Sequence, residues 1–327
     1  MAFILPILLF VVGLTLIVKG ADWLTDGAAS VARRFNIPSI VIGLTIVAFG
    51  TSMPEMVVSA ISAFNGQTEM AIGNVVGSNI FNILAIMGAT AMVCPVKCSK
   101  GNIRYDVPFC ILASALLLFM ANDDVFFKDA TDGVISRMEG IILLILMVLF
   151  VGYTLHIAKQ GKTAAKEGED SATVMPVWKS ILLILIGLAG LIFGGDWMVD
   201  GASRIAALLG VSQSIIALTI VAAGTSFPEF VTSIMAARKG DTDMAMGNVV
   251  GSNIFNIFFA LGVAATISPL ERGGITLLNF AVLLGGAILT WLFCRLGKRH
   301  LYVTRLEGAI LFACAVAYYT YAVLTAS

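Results

Sequence analysis

Long apolar stretches alternate with short polar ones along the whole chain. The apolar stretches lie near residues 3–19, 37–63, 69–93, 105–120, 135–157, 177–198, 212–237, 243–268, 274–294 and 304–325. Each approaches or exceeds the roughly 20 residues a helix needs to cross a bilayer. They predict an all-α polytopic membrane protein with ten transmembrane helices. The opening "MAFILPILLF" has no basic n-region and no small-residue cleavage site, so it reads as a retained first helix and not as a signal peptide. The longest polar interruption, Ala158 to Pro176, reads as a solvated linker.

The pattern repeats. A constant offset of 174 relates Gly13 to Gly187, Asp22 to Asp196, Trp23 to Trp197, Glu55 to Glu229, Asn74 to Asn248 and Asn82 to Asn256. The chain therefore divides into a first five-helix repeat (1–157), a linker (158–176) and a second five-helix repeat (177–327). An odd number of helices per repeat forces the second copy to enter the membrane from the opposite side. Charge agrees with that inversion. Sixteen of the twenty Lys and Arg fall in odd-numbered loops, leaving Lys128, Arg137, Arg204 and Arg272 for the even ones. Basic loops stay in the cytoplasm, which puts both termini outside and the linker inside. The copies also differ as inversion requires. Arg33 and Arg34 align with Ala207 and Leu208, while Phe64 and Asn65 align with Arg238 and Lys239.

Composition narrows the class further. Hydrophobic residues make up 59% of the chain and charged residues 12%. A soluble surface wants roughly 25–35% charge, so the expected surroundings are lipid. The formal net charge is zero, and no nucleic-acid partner is expected. Cys94 and Cys98 lie four residues apart, but no second pair completes a metal site. Cys110, Cys294 and Cys314 read as small apolar packers. Paired aspartates, Asp22 with Asp26 and Asp196 with Asp200, read as caps or turns at helix ends. Glu69 and Asp243 read as first-turn acids behind Thr68 and Thr242, and Asp123, Asp124, Asp129 and Asp132 as a solvated loop.

Two acids do not fit a solvated role. Glu55 and Glu229 are each the one ionisable residue in a long apolar run, within "GTSMPE" and "GTSFPE". Pro54 and Pro228 lack an N–H and interrupt the helix. Backbone carbonyls released at membrane depth need another partner, and Thr51, Ser52, Thr225 and Ser226 add hydroxyls beside the break. A carboxylate within the bilayer costs on the order of 3 kcal/mol on insertion scales. Two placed symmetrically call for a counter-charge, yet their spans contain no Lys or Arg. Carboxylate, hydroxyl and carbonyl oxygens together suit hard cations, Ca²⁺ above Zn²⁺ or Cu²⁺. The partner motif "GNVVGSNIFNI" occurs identically at 73–83 and 247–257. It lines Asn74, Ser78 and Asn82, and again Asn248, Ser252 and Asn256, along one helical face. No Ser–His, Cys–His or His-metal constellation accompanies them, so the protein does not read as an enzyme.

Together the doubled "GTS-x-PE" and "GNVVGSNIFN" motifs resemble the sodium/calcium exchanger family of the cation/Ca²⁺ antiporter superfamily, and in particular its compact prokaryotic members. The resemblance implies a Ca²⁺/Na⁺ antiporter that functions as a monomer, takes Ca²⁺ and Na⁺ as substrates and needs no cofactor. It implies that Glu55 and Glu229 bind Ca²⁺ and share in Na⁺ sites. Thr51 and Thr225 would add backbone carbonyls to the Ca²⁺ site. Ser52, Ser226, Ser78 and Ser252 would line flanking Na⁺ sites with the carbonyls of Ala48 and Ala222, and Asn82 and Asn256 would join the central cluster. Some relatives have Asp where this chain has Asn256, and its absence leans against K⁺ co-transport. A Ca²⁺/H⁺ antiporter using the same two glutamates is the alternative reading.

Overall fold

The computed structural model describes residues 4–126, 133–164, 175–209, 224–296 and 301–326. Long helices dominate it. Helix α1 spans Ile4–Phe35, α2 Ser39–Thr51, α3 Met53–Phe64, α4 Thr68–Val93 and α5 Asn102–Met120. Helix α6 spans Arg137–Ala164, α7 Val177–Leu208, α8 Phe227–Arg238, α9 Thr242–Ile267, α10 Leu277–Leu296 and α11 Arg305–Ala326. Among the described residues eight helices are long and apolar enough to cross a membrane, and α2 with α3 forms a ninth span bent by 47°. The tenth predicted span, 212–237, lies partly outside the described residues, which resume at Gly224.

Helices α1 and α7 pack antiparallel with their backbones nearly touching. A Cβ on Gly20 would sit 2.7 Å from the Gly187 carbonyl, and one on Gly187 would sit 2.7 Å from the Gly20 carbonyl. Further along, Gly194 meets the Gly13 carbonyl, and Gly201 meets Pro6 and Phe10. Small residues at such spacing let membrane helices approach closely, where dispersion and not the hydrophobic effect holds them together. Helices α4 and α9 form the buried centre. Their apolar windows are 83% and 78% buried, against 28% for α1 and α7. Ile72, Ile80, Ile83, Val249, Ile254 and Ile257 pack around them in one core. Gly43 on α2 and Gly247 on α9 allow that pair an equally close approach.

Two short antiparallel ribbons tie the copies together. β1 (Val96–Lys97) pairs with β4 (Tyr302–Val303), and β2 (Val134–Ile135) with β3 (Leu270–Glu271). Each ribbon takes one strand from each repeat. Beside the first, Cys98 and Cys294 form a disulfide across 196 residues. The disulfide corrects the reading of Cys294 as a packer and leaves Cys94 a free thiol.

Several other expectations change. Asp22, Asp26, Asp196 and Asp200 lie inside α1 and α7, well before their C-termini, and are not caps. The apolar count ended α1 near residue 19, but the helix runs on to Phe35 because its later turns pack on α7 and on α8. Lys19, assigned to the first loop, is likewise helical. Helix α6 continues to Ala164, into the segment assigned to the linker. The cap of α9 is Asp241, which accepts from the Met244 N–H, and not Thr242. Asp124 pairs with Arg272 at 3.0 Å, joining the two copies at the second ribbon; Asp129 and Asp132 lie outside the described residues.

One ion-pair cluster distinguishes the two ends of the molecule. Lys239, in the turn between α8 and α9, bonds Asp22 at 2.6 Å and Asp26 at 2.8 Å, and donates to the Thr25 hydroxyl at 2.9 Å. Asn65 occupies the matching position in the first copy. The partners are partly exposed, with side-chain accessibilities of 30–50%. Exposed pairs contribute about 0.2–1 kcal/mol each. Lys239→Gln is therefore expected to lower thermal stability by no more than a few degrees, with a loss that shrinks at high salt; a drop of more than about 10 °C would show that the cluster is desolvated.

Candidate functional site

Both helix breaks form as the proline positions predict. Ser52 ends the α2 geometry with φ −86° and ψ 5°, and Pro54 sits in the first turn of α3. Ser226 adopts φ −89° and ψ 5°, with Pro228 in the first turn of α8. In each copy this leaves the glutamate in the first turn of a new helix, whose N-terminal dipole and open N–H groups favour negative charge. Glu55 and Glu229 are both fully buried.

The copies then exchange hydrogen bonds. The Ser52 hydroxyl donates to Glu229 Oε1 at 2.9 Å, and the Ser226 hydroxyl donates to Glu55 Oε1 at 2.9 Å. Each acid is thus held by the serine of the other repeat, and the two breaks face one another across the centre of the molecule. The second oxygens, Glu55 Oε2 and Glu229 Oε2, are buried without a protein partner. So are Ser78 Oγ, Ser252 Oγ, Asn256 Oδ1 and both ends of the Asn82 amide. Buried polar groups are normally bonded. This set comes from both copies, is drawn from the two repeated motifs, and is dominated by hard oxygens. Its chemistry fits a cation whose charge would offset two carboxylates.

The structure brings ten of the twelve expected site residues into these two breaks and the helices beside them, and an eleventh, Thr225, directly precedes Ser226. Thr51 is buried, and its hydroxyl lies 3.0 Å from the Val47 carbonyl and 3.3 Å from Asn248 Oδ1. Ala48 is buried on the last turn of α2, where its carbonyl accepts from the Ser52 N–H at 3.0 Å. Thr225 is half-buried. Ala222 lies outside the described residues.

Asn74 and Asn248, read from the sequence as part of the polar stripe, do something more specific. Asn74 donates to the Glu55 carbonyl at 3.1 Å and to Ser59 at 3.0 Å. Asn248 donates to the Glu229 carbonyl at 3.3 Å and to Ser233 at 2.9 Å. They brace the backbone under each acid. Ser59 and Ser233 were missed by sequence reasoning, although they too keep the 174-residue offset. Four π-helical turns among the described residues were also missed, three of them beside the site, Gly43–Val47, Phe81–Ile86 and Asn256–Leu261, and one away from it, Asn102–Asp106. Single-turn widenings of this kind re-aim side chains and gather at functional sites. Here they carry Asn82 and Asn256 and immediately precede the first break.

Comparison with known proteins gives the chain a family and a fold. The sodium/calcium exchanger protein family profile matches residues 5–156 and 179–324. The chain is 36% identical over 314 residues to the putative antiporter CaxA of Alkalimonas amylolytica, covering 94% of this chain and 95% of that one. It is 37% identical over 277 residues to the inner membrane protein YrbG of Escherichia coli, 80% of each chain. It is 30% identical over 346 residues to the sodium/calcium exchanger MaX1 of Methanosarcina acetivorans, 95% of this chain and 96% of the other. Among solved structures, the sodium-calcium exchanger NCX_Mj soaked in Na⁺ without Ca²⁺ superimposes with a TM-score of 0.83 at 31% identity, covering 97% of this chain and 98% of that one. A profile matched in both halves, and relatives and an exchanger of known structure matched along almost their whole length, show that the chain belongs to the sodium/calcium exchanger protein family.

Proposed function

We propose that the protein is a secondary antiporter that exchanges Ca²⁺ for Na⁺ across an inner membrane by alternating access to the crossed-glutamate site. The observation that carries this reading is the pair of Ser–Glu bonds between the copies, with each acid's second oxygen left unpartnered. Ca²⁺ and Na⁺ would compete for the same oxygens of Glu55, Glu229, Ser52, Ser226, Ser78, Ser252, Asn82 and Asn256, with the carbonyls of Thr51, Thr225, Ala48 and Ala222. An empty site holds two bare carboxylates in low dielectric, which is costly to carry past the hydrophobic barrier. A filled site is neutralised. That difference couples the two fluxes and suppresses leak. The α1–α7 pair is locked backbone to backbone by its glycines, so the two helices would move as one body against the buried α4 and α9. The unit is complete in one chain, so a monomer suffices.

The test is ⁴⁵Ca²⁺ uptake by proteoliposomes under an imposed Na⁺ gradient, with an imposed pH gradient as the second arm. Uptake driven by Na⁺ alone is expected; uptake driven only by the pH gradient would make the protein a Ca²⁺/H⁺ antiporter. Sidedness has its own measurement. By the basic-loop rule both termini would lie outside and the Cys98–Cys294 corner in the cytoplasm, where thiols are kept reduced. Alkylation of intact cells followed by mass spectrometry is expected to find Cys98 and Cys294 reduced in the cell and bonded after aerobic purification. A pair already oxidised in the cell would reverse the orientation.

A further inference from the structure

Asn79 stands between Ser78 and the π-helical turn that carries Asn82, and the site described above does not use it. It is fully buried. Its Nδ2 donates to the Asn253 carbonyl at 3.1 Å, and Asn253 Nδ2 donates back to the Asn79 carbonyl at 3.2 Å. Asn253 is the same position in the second copy, so this reciprocal clamp joins α4 to α9. A further bond has no counterpart in the other half. Asn256 Nδ2 donates to Asn79 Oδ1 at 3.0 Å.

The orientation of the Asn79 and Asn256 amides follows from one atom, the Asn253 carbonyl oxygen. A backbone carbonyl can only accept. The Asn79 nitrogen must therefore face the Asn253 carbonyl, which turns the Asn79 oxygen toward Asn256. Only the Asn256 nitrogen can donate to that oxygen, so the Asn256 oxygen becomes the free end. It is buried and has no protein partner, on a turn packed against the Glu55 helix. In the first copy nothing of the kind holds Asn82, whose amide nitrogen and oxygen are both unpartnered. Asn82 can present either end; Asn256 cannot.

We propose that Asn79 is a positioning residue that fixes Asn256 as a neutral oxygen ligand for the transported cation. It rests on the reading of Asn256 as part of the cation cluster. An unrestrained amide rotates, and half of its orientations would aim an NH₂ group at a cation. Asn79 removes those orientations before the ion arrives. It also sets the charge of the site. A carboxylate at position 256 would meet the Asn79 oxygen acceptor to acceptor, so Asn79 favours an amide there and keeps the cluster at two acids.

The experiment compares Asn79→Ala with Asn253→Ala. Both remove one side-chain bond of the clamp, and Asn79→Ala removes the Asn256 bond as well, so its loss of thermal stability should be the larger. Only Asn79→Ala releases Asn256, because Asn253→Ala keeps the carbonyl that orients Asn79. Outer-shell partners of metal ligands are worth roughly 10- to 100-fold in affinity. The KM for Ca²⁺ in Na⁺-driven uptake is therefore expected to rise at least about tenfold in Asn79→Ala, with Asn253→Ala within about threefold of wild type. Stabilisation of the purified protein by Ca²⁺ should weaken in the same order. Equal KM values in the two variants would overturn the proposal. Should Asn79→Ala not fold, the near-isosteric Asn79→Leu decides, since it fills the volume but offers Asn256 no acceptor: a tenfold rise in KM supports the positioning role and a KM near wild type overturns it. Failure of wild type in both uptake and Ca²⁺ stabilisation would instead remove the antiport reading itself.

Discussion

Replacing Glu55 or Glu229 by Gln is expected to reduce Na⁺-driven Ca²⁺ uptake at least about 100-fold, equivalent to roughly 2.7 kcal/mol of lost binding and coupling. Gln keeps the volume and still offers an oxygen to the crossing serine, so the bonds from Ser226 and Ser52 need not be lost. What disappears is half of the negative charge that a divalent ion requires. The stability of the empty protein should change in the opposite direction. A buried carboxylate held by one hydroxyl and a helix N-terminus is under-compensated, and removing it relieves that cost. Each variant should melt at or above the wild-type temperature without Ca²⁺ and gain little when Ca²⁺ is added. Melting curves with and without Ca²⁺, taken beside the uptake assay, separate this from simple misfolding. Uptake within tenfold of wild type in either variant would remove the acids from the site.

The second large effect lies on the α1–α7 seam and touches no ion ligand. Gly20→Ala adds one methyl group, yet that methyl would stand 2.7 Å from the Gly187 carbonyl and 2.9 Å from the Leu191 nitrogen. Both obstacles are backbone and cannot rotate away. Helices α1 and α7 must separate, and the dispersion contacts on either side are lost with them. Overpacking of this kind costs about 1–3 kcal/mol, which for a chain of this size corresponds to a fall of roughly 5 °C in the apparent melting temperature. Gly152→Ala is the control. That glycine is exposed on α6 and nothing lies within 4 Å of the added atom, so its melting temperature should hold or rise slightly. Size-exclusion chromatography after heating reads both. Equal behaviour of the two variants would mean that α1 and α7 are not in backbone contact.

The two glutamates were readable in the sequence because the bilayer makes them conspicuous. An acid in a run of apolar residues beside a proline, repeated at a fixed offset, has few inert explanations. The crossing of Ser52 and Ser226 onto the opposite acid was not readable, since it depends on how the two copies dock. The lengths of α1 and α7 were misjudged for a different reason. Hydropathy reports where lipid ends, while a helix ends where its packing and capping end, and Lys19, Asp22 and Asp26 lie on turns that continue along α7. The π-helical turns at Phe81 and Asn256 leave no trace in composition because one extra residue in a turn changes neither polarity nor propensity. The Cys98–Cys294 bond joins residues 196 apart and becomes visible only once β1 lies beside the end of α10.

A molecule assembled from two copies of one sequence, turned over relative to each other, would by itself rest equally well with either face shut. Lys239 is one of the residues that would break that degeneracy. It fastens α1 to the turn between α8 and α9 through Asp22 and Asp26, while its duplicate position holds the uncharged Asn65. Any rearrangement that parts α1 from that turn works against charge on one side of the membrane and against no lysine on the other. Together with the other divergent basic positions, Arg33, Arg34 and Arg238, Lys239 would make the two ends of the molecule unequal through residues that hold no ion.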